Sequence, residues 1–128
     1  MKTHRIPDSE LDVMLVLWQS ETPLRVIDIH NGLRGVRPCS KPAIHTLLDR
    51  LAEKGFVKIE TVEAAIPYKL ISPIVTEEEY RREESDNFIT KLCRGSLSTL
   101  IATLIDTGKI TDDDIDEIAR LLDEKKKK

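Results

Sequence analysis

A single stretch sets the tightest limit on what this chain can fold into. Ser40–Gly55, SKPAIHTLLDRLAEKG, runs directly into FVKIE and, after a short gap, YKL. Ser40 is a good helix N-cap, because its side-chain oxygen accepts from an early backbone N–H that has no partner within the helix. Pro42 falls in the first turn, where a missing N–H is harmless. Ile44, Leu47, Leu48 and Leu51 recur at helical spacing, whereas Lys41, His45, Thr46, Asp49 and Arg50 fall largely on the other side. Gly55 suits the left-handed residue that ends a helix. Phe56–Ile59 and Tyr68–Ile71 then read as strands joined by a loop over Thr61–Pro67, with Pro67 better placed at a sheet edge than in its middle.

The flanking sequence supplies helices on both sides. Asp8 or Ser9 can cap a first helix that buries Leu11, Met14, Leu17 and Trp18. Thr22-Pro23 has the form of an N-cap followed by a first-turn proline, opening a second helix with Leu24, Ile27, Ile29 and Leu33 as its apolar surface. Gly32 and Gly35 bracket its end, and Gly35–Cys39 is a turn, since Pro38 biases its predecessor away from helix. Ser72-Pro73 marks a boundary. Beyond it Thr76 and Glu79 form a capping box for a helix that runs to about Cys93 and closes near Gly95. Ser96 opens the next helix, with Leu97, Leu100, Ile101, Leu104 and Ile105 on one face and Gly108 at its end. Thr111 caps the last, where Ile115, Ile118, Leu121 and Leu122 repeat.

These signals define a mainly α protein with a small two-stranded β wing. A capped helix, a glycine stop and a hairpin are the layout of a winged helix-turn-helix, here over 1–72, followed by a C-terminal helical subdomain over 73–128. The C-terminal stripes need a surface to cover them, and a short set of single-stripe helices has little core of its own. A homodimer interface built from Leu97, Leu100, Ile101, Leu104, Ile105, Ile115, Ile118 and Leu122 is the expectation, favoured over packing back on the same chain because most soluble oligomers close with twofold symmetry.

Charge distribution qualifies the functional reading. The net charge is −3, yet residues 1–72 carry ten Lys and Arg against nine Asp and Glu, while 73–128 carry ten against fourteen. A DNA surface must therefore be built from a few placed residues rather than a general positive field. Lys41, His45, Thr46 and Arg50 are the base-reading candidates, with Ala43 able to touch a thymine methyl and Ser40 able to meet phosphate. Arg37, Lys58 and Lys69 are phosphate candidates. Each of these also reads as ordinary solvated surface, and Asp49 as a salt-bridge partner or a discriminator against wrong bases.

Other chemistry has little support. His4, His30 and His45 lie in separate elements without ligand spacing, so no metal and no cofactor are expected. Cys39 and Cys93 have no activating neighbour and read as reduced thiols in a cytoplasmic protein. No serine sits in a triad motif, and an enzyme is not expected. The N-terminus lacks the apolar core of a secretory signal, and no apolar run approaches the roughly 20 residues that span a bilayer. The lysine run Lys125–Lys128 reads as a frayed, solubilising end.

The order of elements also carries a resemblance. Glu10-Leu11-Asp12-Val13-Met14 with Leu17-Trp18, Ile44–Leu51 with Lys54-Gly55, Tyr68, Gly95-Ser96-Leu97 and Ile115–Leu122 together resemble the penicillinase and methicillin-resistance repressors (BlaI/MecI type) over nearly the whole chain. The resemblance implies a homodimeric repressor on a pseudo-palindromic double-stranded DNA operator, one recognition helix per half-site in the major groove, and a membrane sensor protease as partner. Three departures stand out. Where penicillinase-type members carry an Asn-Phe cleavage bond, this chain has Thr103-Leu104, and its own Asn87-Phe88 lies one helix too early. The paired Cys-x-Cys motifs of copper-responsive members are missing from the lysine tail. The wing tip, usually basic, holds Glu60, Glu63, Ala64 and Ala65. The acidic wing motivates the alternative of a winged-helix protein-interaction adaptor that no longer binds DNA.

Overall fold

The computed structural model describes residues 5–94 and 96–127. His4, the Gly95 expected to close a helix and the last residue of the lysine run, Lys128, lie outside them. The elements are α1 (Asp8–Trp18), α2 (Val26–Gly32), α3 (Lys41–Glu53), β1 (Val57–Val62), β2 (Tyr68–Pro73), α4 (Glu77–Lys91), α5 (Leu97–Asp106) and α6 (Asp112–Lys126). The chain divides into two compact units between Glu84 and Ser85.

In the first unit, α1, α2 and α3 close over one apolar core. Val13, Met14 and Leu17 from α1 meet Ile29 and Leu33, and Ile44, Leu47, Leu48 and Leu51 from α3. The end of α3 follows from its sequence. Gly55 takes φ +81°, its N–H donates to the Ala52 carbonyl at 3.0 Å and the Phe56 N–H to Leu51 at 2.8 Å. This is a Schellman turn, and it drops Phe56 into the core and launches β1 in a fixed direction. The strands pair antiparallel with Ile59 opposite Ile71 and Val62 opposite Tyr68. They run further toward the tip than the sequence indicated, leaving only Glu63–Pro67 as the loop.

The expected start of α2 is corrected. Thr22-Pro23 does not open the helix; Thr22 lies in a bend, Leu24 bridges to Ile71, Arg25 is extended, and α2 begins at Val26. The Leu24 N–H donates to the Ile71 carbonyl at 3.0 Å and the Ile71 N–H donates back at 2.8 Å. Two bonds to the wing outweigh a local capping preference. The first helix differs in a smaller way: Pro7 is its N-cap and makes no side-chain bond, so Asp8 and Ser9 lie inside the first turn.

The first unit also reaches past Pro73. Val75 and Tyr80 belong to its core. Trp18 Nε1 donates to the Val75 carbonyl at 2.9 Å, and the Tyr80 hydroxyl accepts from the Ile6 N–H at 3.2 Å. Phe56 meets the Tyr80 ring edge-on at 5.8 Å. Burial pushes the Tyr80 phenol above its ordinary pKa. Tyr80 is the one buried residue of α4.

The second unit contains α5 and α6. Ser96 caps α5 by accepting from the Thr99 N–H at 3.3 Å. Thr111 caps α6, accepting from Asp114 at 3.1 Å while Asp114 accepts from Thr111 at 3.0 Å. Both helices are amphipathic, yet neither contains a buried residue. Leu97 and Ile105 are 51% and 54% exposed, and Ile115 and Leu122 are 46% and 54% exposed. Leu100, Ile101, Leu104 and Ile118 are half-buried. Among the described residues no helix is long and apolar enough to cross a membrane.

Candidate nucleic-acid interface

The outer face of α3 is built by the same spacing that buries its inner one. With Ile44, Leu47, Leu48 and Leu51 held in the core, Lys41, Ala43, His45, Thr46, Asp49 and Arg50 are all exposed. Ser40 accepts from the Ala43 N–H at 3.3 Å, so its oxygen serves the helix cap. The Thr46 hydroxyl donates to the Pro42 carbonyl at 3.2 Å, which leaves the oxygen free to accept.

An open groove of about 550 Å³ runs beside the start of α3, lined by Ser9, Arg37, Pro38, Cys39, Ser40, Ala43, Thr46, Leu47 and Arg50. It gathers five of the residues singled out in the sequence: Arg37, Ser40, Ala43, Thr46 and Arg50. Lys41, His45 and Asp49 lie outside it, spaced four apart along another part of the helix. The Asp49 carboxylate has no ion pair among the described residues, so it presents an unpaired acid on the outer face of α3.

Arg37 is not a free cation. Its Nε donates to Asp12 Oδ2 at 2.9 Å, with the two side chains 38% and 21% exposed. The bond ties the turn before α3 to α1 and aims the guanidinium at the groove. Lys54 Nζ lies 2.6 Å from Glu10 Oε1, an acid only 1% exposed. That pair anchors the far end of α3 to α1. Sequence reading missed both pairs, because each joins residues distant in the chain.

The two wing lysines do not act together. Lys58 pairs with Ser72 and Lys69 with Thr61. Side chains alternate along a strand, so Lys69 shares the face of Ile59 and Ile71 while Lys58 projects from the other. Lys58 also lies 3.2 Å from Glu60, which offsets part of its charge. At the tip, Ile66 is 84% exposed beside Glu63, and no basic residue stands in Glu63–Pro67. The dimer-interface candidates all belong to α5 and α6, away from this groove in sequence. Among the described residues no cluster of His, Cys, Asp and Glu could hold a metal ion.

Three helices whose third turns through a left-handed glycine into a two-stranded ribbon make a winged helix-turn-helix. The sequence profile of the Penicillinase repressor family matches residues 6–124. The chain belongs to that family, whose members are repressors and not enzymes. The methicillin resistance regulatory protein MecI of Mammaliicoccus sciuri is 27% identical over 124 residues, 97% of this chain and 98% of that one. The penicillinase repressor of Bacillus licheniformis is 25% identical over 125 residues, 98% of this chain and 94% of that one. Among solved structures, the solution structure of monomeric Bacillus licheniformis BlaI in complex with the blaP half-operator matches with a TM-score of 0.50 and 28% identity, covering 62% of this chain and 92% of that one.

Proposed function

We propose that this protein is a homodimeric cytoplasmic repressor that binds a pseudo-palindromic operator, placing α3 of each protomer in the major groove of one half-site. The observation that carries the reading is the groove beside α3, which brings Arg37, Ala43, Thr46 and Arg50 to one exposed surface. The BlaI relative solved on a half-operator supports it. Arg50 suits guanine O6 and N7, Thr46 can serve several bases, and Ala43 suits a thymine methyl. Ser40 and Arg37 serve phosphate through the donors left over from the cap and the Asp12 bond, one wing lysine, Lys58 or Lys69, adds a contact from its own face of the ribbon, and Lys41 and His45 lie on the outer edge of the helix.

Dimerisation rests on α5 and α6. Leu97, Ile105, Ile115 and Leu122 stay about half exposed in the single chain, and covering the remainder is worth roughly 1 kcal/mol for each of them. A twofold pair also matches the symmetry of an operator with two half-sites. In this reading the unit ending at Glu84 reads DNA, and the remainder holds the dimer and sets half-site spacing. Repression follows from occupation of the promoter. A sensor protease remains part of the family resemblance only: the position of the Asn-Phe bond holds Thr103-Leu104, inside α5.

The test is Arg50→Ala, measured on the cognate operator and on random DNA. Loss of one base contact weakens operator binding by about 1–3 kcal/mol and lowers discrimination at one position. Unchanged affinity and discrimination removes Arg50 from the interface. The adaptor alternative draws on Glu63, the exposed Ile66 and the bare Asp49 carboxylate; it requires that the wild-type protein show no salt-sensitive DNA affinity.

A further inference from the structure

We propose that Arg25, whose guanidinium lies over the ring of Tyr68, is a phosphate-binding residue of the DNA interface, and that Tyr68 is its positioning residue. The inference rests on the DNA-binding reading above. The Arg25 guanidinium carbon stands 4.0 Å from the Tyr68 ring centroid. The backbone beneath it is fixed, because the paired hydrogen bonds between Leu24 and Ile71 lock the segment before α2 against β2. Alternation then places Arg25 on the face opposite Leu24, which is the face that carries Tyr68 and Leu70.

The charge on this arginine is available. The first unit ties Arg37 to Asp12, Lys54 to Glu10 and Lys58 to Glu60. Arg25 is exposed and takes part in no ion pair among the described residues. The acid closest to it in sequence, Asp28, is occupied: its carboxylate accepts from the Arg25 backbone N–H at 3.0 Å. The cation–π contact satisfies none of the guanidinium N–H groups, so Arg25 keeps its full charge and the fork of donors that matches a phosphate. It also removes much of the side-chain freedom that binding would otherwise have to suppress.

Location identifies the ligand. Arg25 immediately precedes α2, the first helix of the helix-turn-helix. That helix crosses the DNA backbone when the second lies in the major groove. The chemistry in reach is therefore a phosphodiester flanking the bases that α3 reads. An arginine there adds affinity and register without sequence information, as a chain with net charge −3 and no cation at its wing tip requires.

The experiment uses the full chain, with fluorescence anisotropy on the operator duplex and on a random duplex of equal length, from about 50 to about 200 mM salt. Arg25→Ala should lower the slope of log affinity against log salt by about 0.9, so that its deficit relative to wild type grows about 3.5-fold as salt falls across that range. The ratio of operator to random affinity should stay the same. Arg25→Lys should restore the slope, Tyr68→Phe should leave binding unchanged, and Tyr68→Leu should weaken both duplexes equally. A wild-type slope in Arg25→Ala, with wild type itself binding tightly, overturns this inference alone and leaves the surface to a protein partner. A changed operator-to-random ratio also overturns it, since Arg25 would then be reading bases. Wild type that binds neither duplex in a salt-sensitive way removes the DNA reading and this inference with it.

Discussion

The pair formed by Glu10 and Lys54 should respond to mutation asymmetrically. Glu10 Oε1 and Lys54 Nζ are 2.6 Å apart, but the side chains are 1% and 35% exposed. Lys54→Ala strands a carboxylate that water cannot reach. Breaking a buried pair in this way costs about 3–5 kcal/mol. Water reaches the lysine side, so the figure here is reduced to about 2–4 kcal/mol. Glu10→Gln does the opposite: it removes the buried charge, keeps an oxygen that can accept from Lys54, and leaves the ammonium free to turn toward solvent. Its cost is about 1 kcal/mol, close to that of one weakened hydrogen bond. Urea unfolding of the two variants, compared at a common denaturant dependence, measures the difference. Equal losses, or a larger loss for Glu10→Gln, would refute the argument that burial of the acid sets the energetics of this pair.

Other expectations concern the helices beyond the wing. Leu104→Asp places a charge on the stripe of α5 and should abolish the dimer by sedimentation velocity while weakening operator binding in parallel; retention of both properties contradicts the two-part arrangement. Capping hydrogen bonds from Thr76 hold Glu79 below its ordinary value of 4.5, and those from Thr111 hold Asp114 below 3.8. A depressed carboxylate contributes stability above its unfolded pKa and loses it as pH falls through the folded one. Thr76→Ala and Thr111→Ala should therefore destabilise their helices at neutral pH, with part of the deficit shrinking as pH falls below those values. A deficit that is flat with pH in thermal melts argues against both caps. The Arg50→Ala measurement adds a fourth expectation, confined to DNA affinity and without effect on the dimer.

Local chemistry made part of this fold legible. Ser40, the stripe from Ile44 to Leu51 and Gly55 are neighbours in sequence and act on one another, so α3, its cap and its Schellman turn could be read directly. The capping box at Thr76 and the cap at Thr111 were legible for the same reason, while the return bond accepted by Asp114 emerged with the structure. What escaped was non-local. Thr22-Pro23 carries a true local preference for starting a helix, but Leu24 satisfies its backbone on Ile71, 47 positions away, and α2 starts later. Tyr80 sits among acidic and basic residues in α4, and nothing nearby shows that Trp18 and Phe56 wait for it. The site divides in the same way. Arg50, Thr46 and Ala43 followed from helical spacing, whereas the partners of Arg37 and Arg25, Asp12 and Tyr68, depend on how α1 and the wing fold back.

The central claim is that α3 reads operator DNA despite the acidic balance of the chain. The most direct measurement is binding of the full protein to the DNA upstream of its own gene and to random DNA of equal length, across a series of salt concentrations. The account predicts tight binding to the upstream DNA, falling steeply with salt at about −0.9 in log–log slope for each phosphate contacted, and much weaker binding to random DNA. Equal, weak and salt-insensitive binding to both would contradict it.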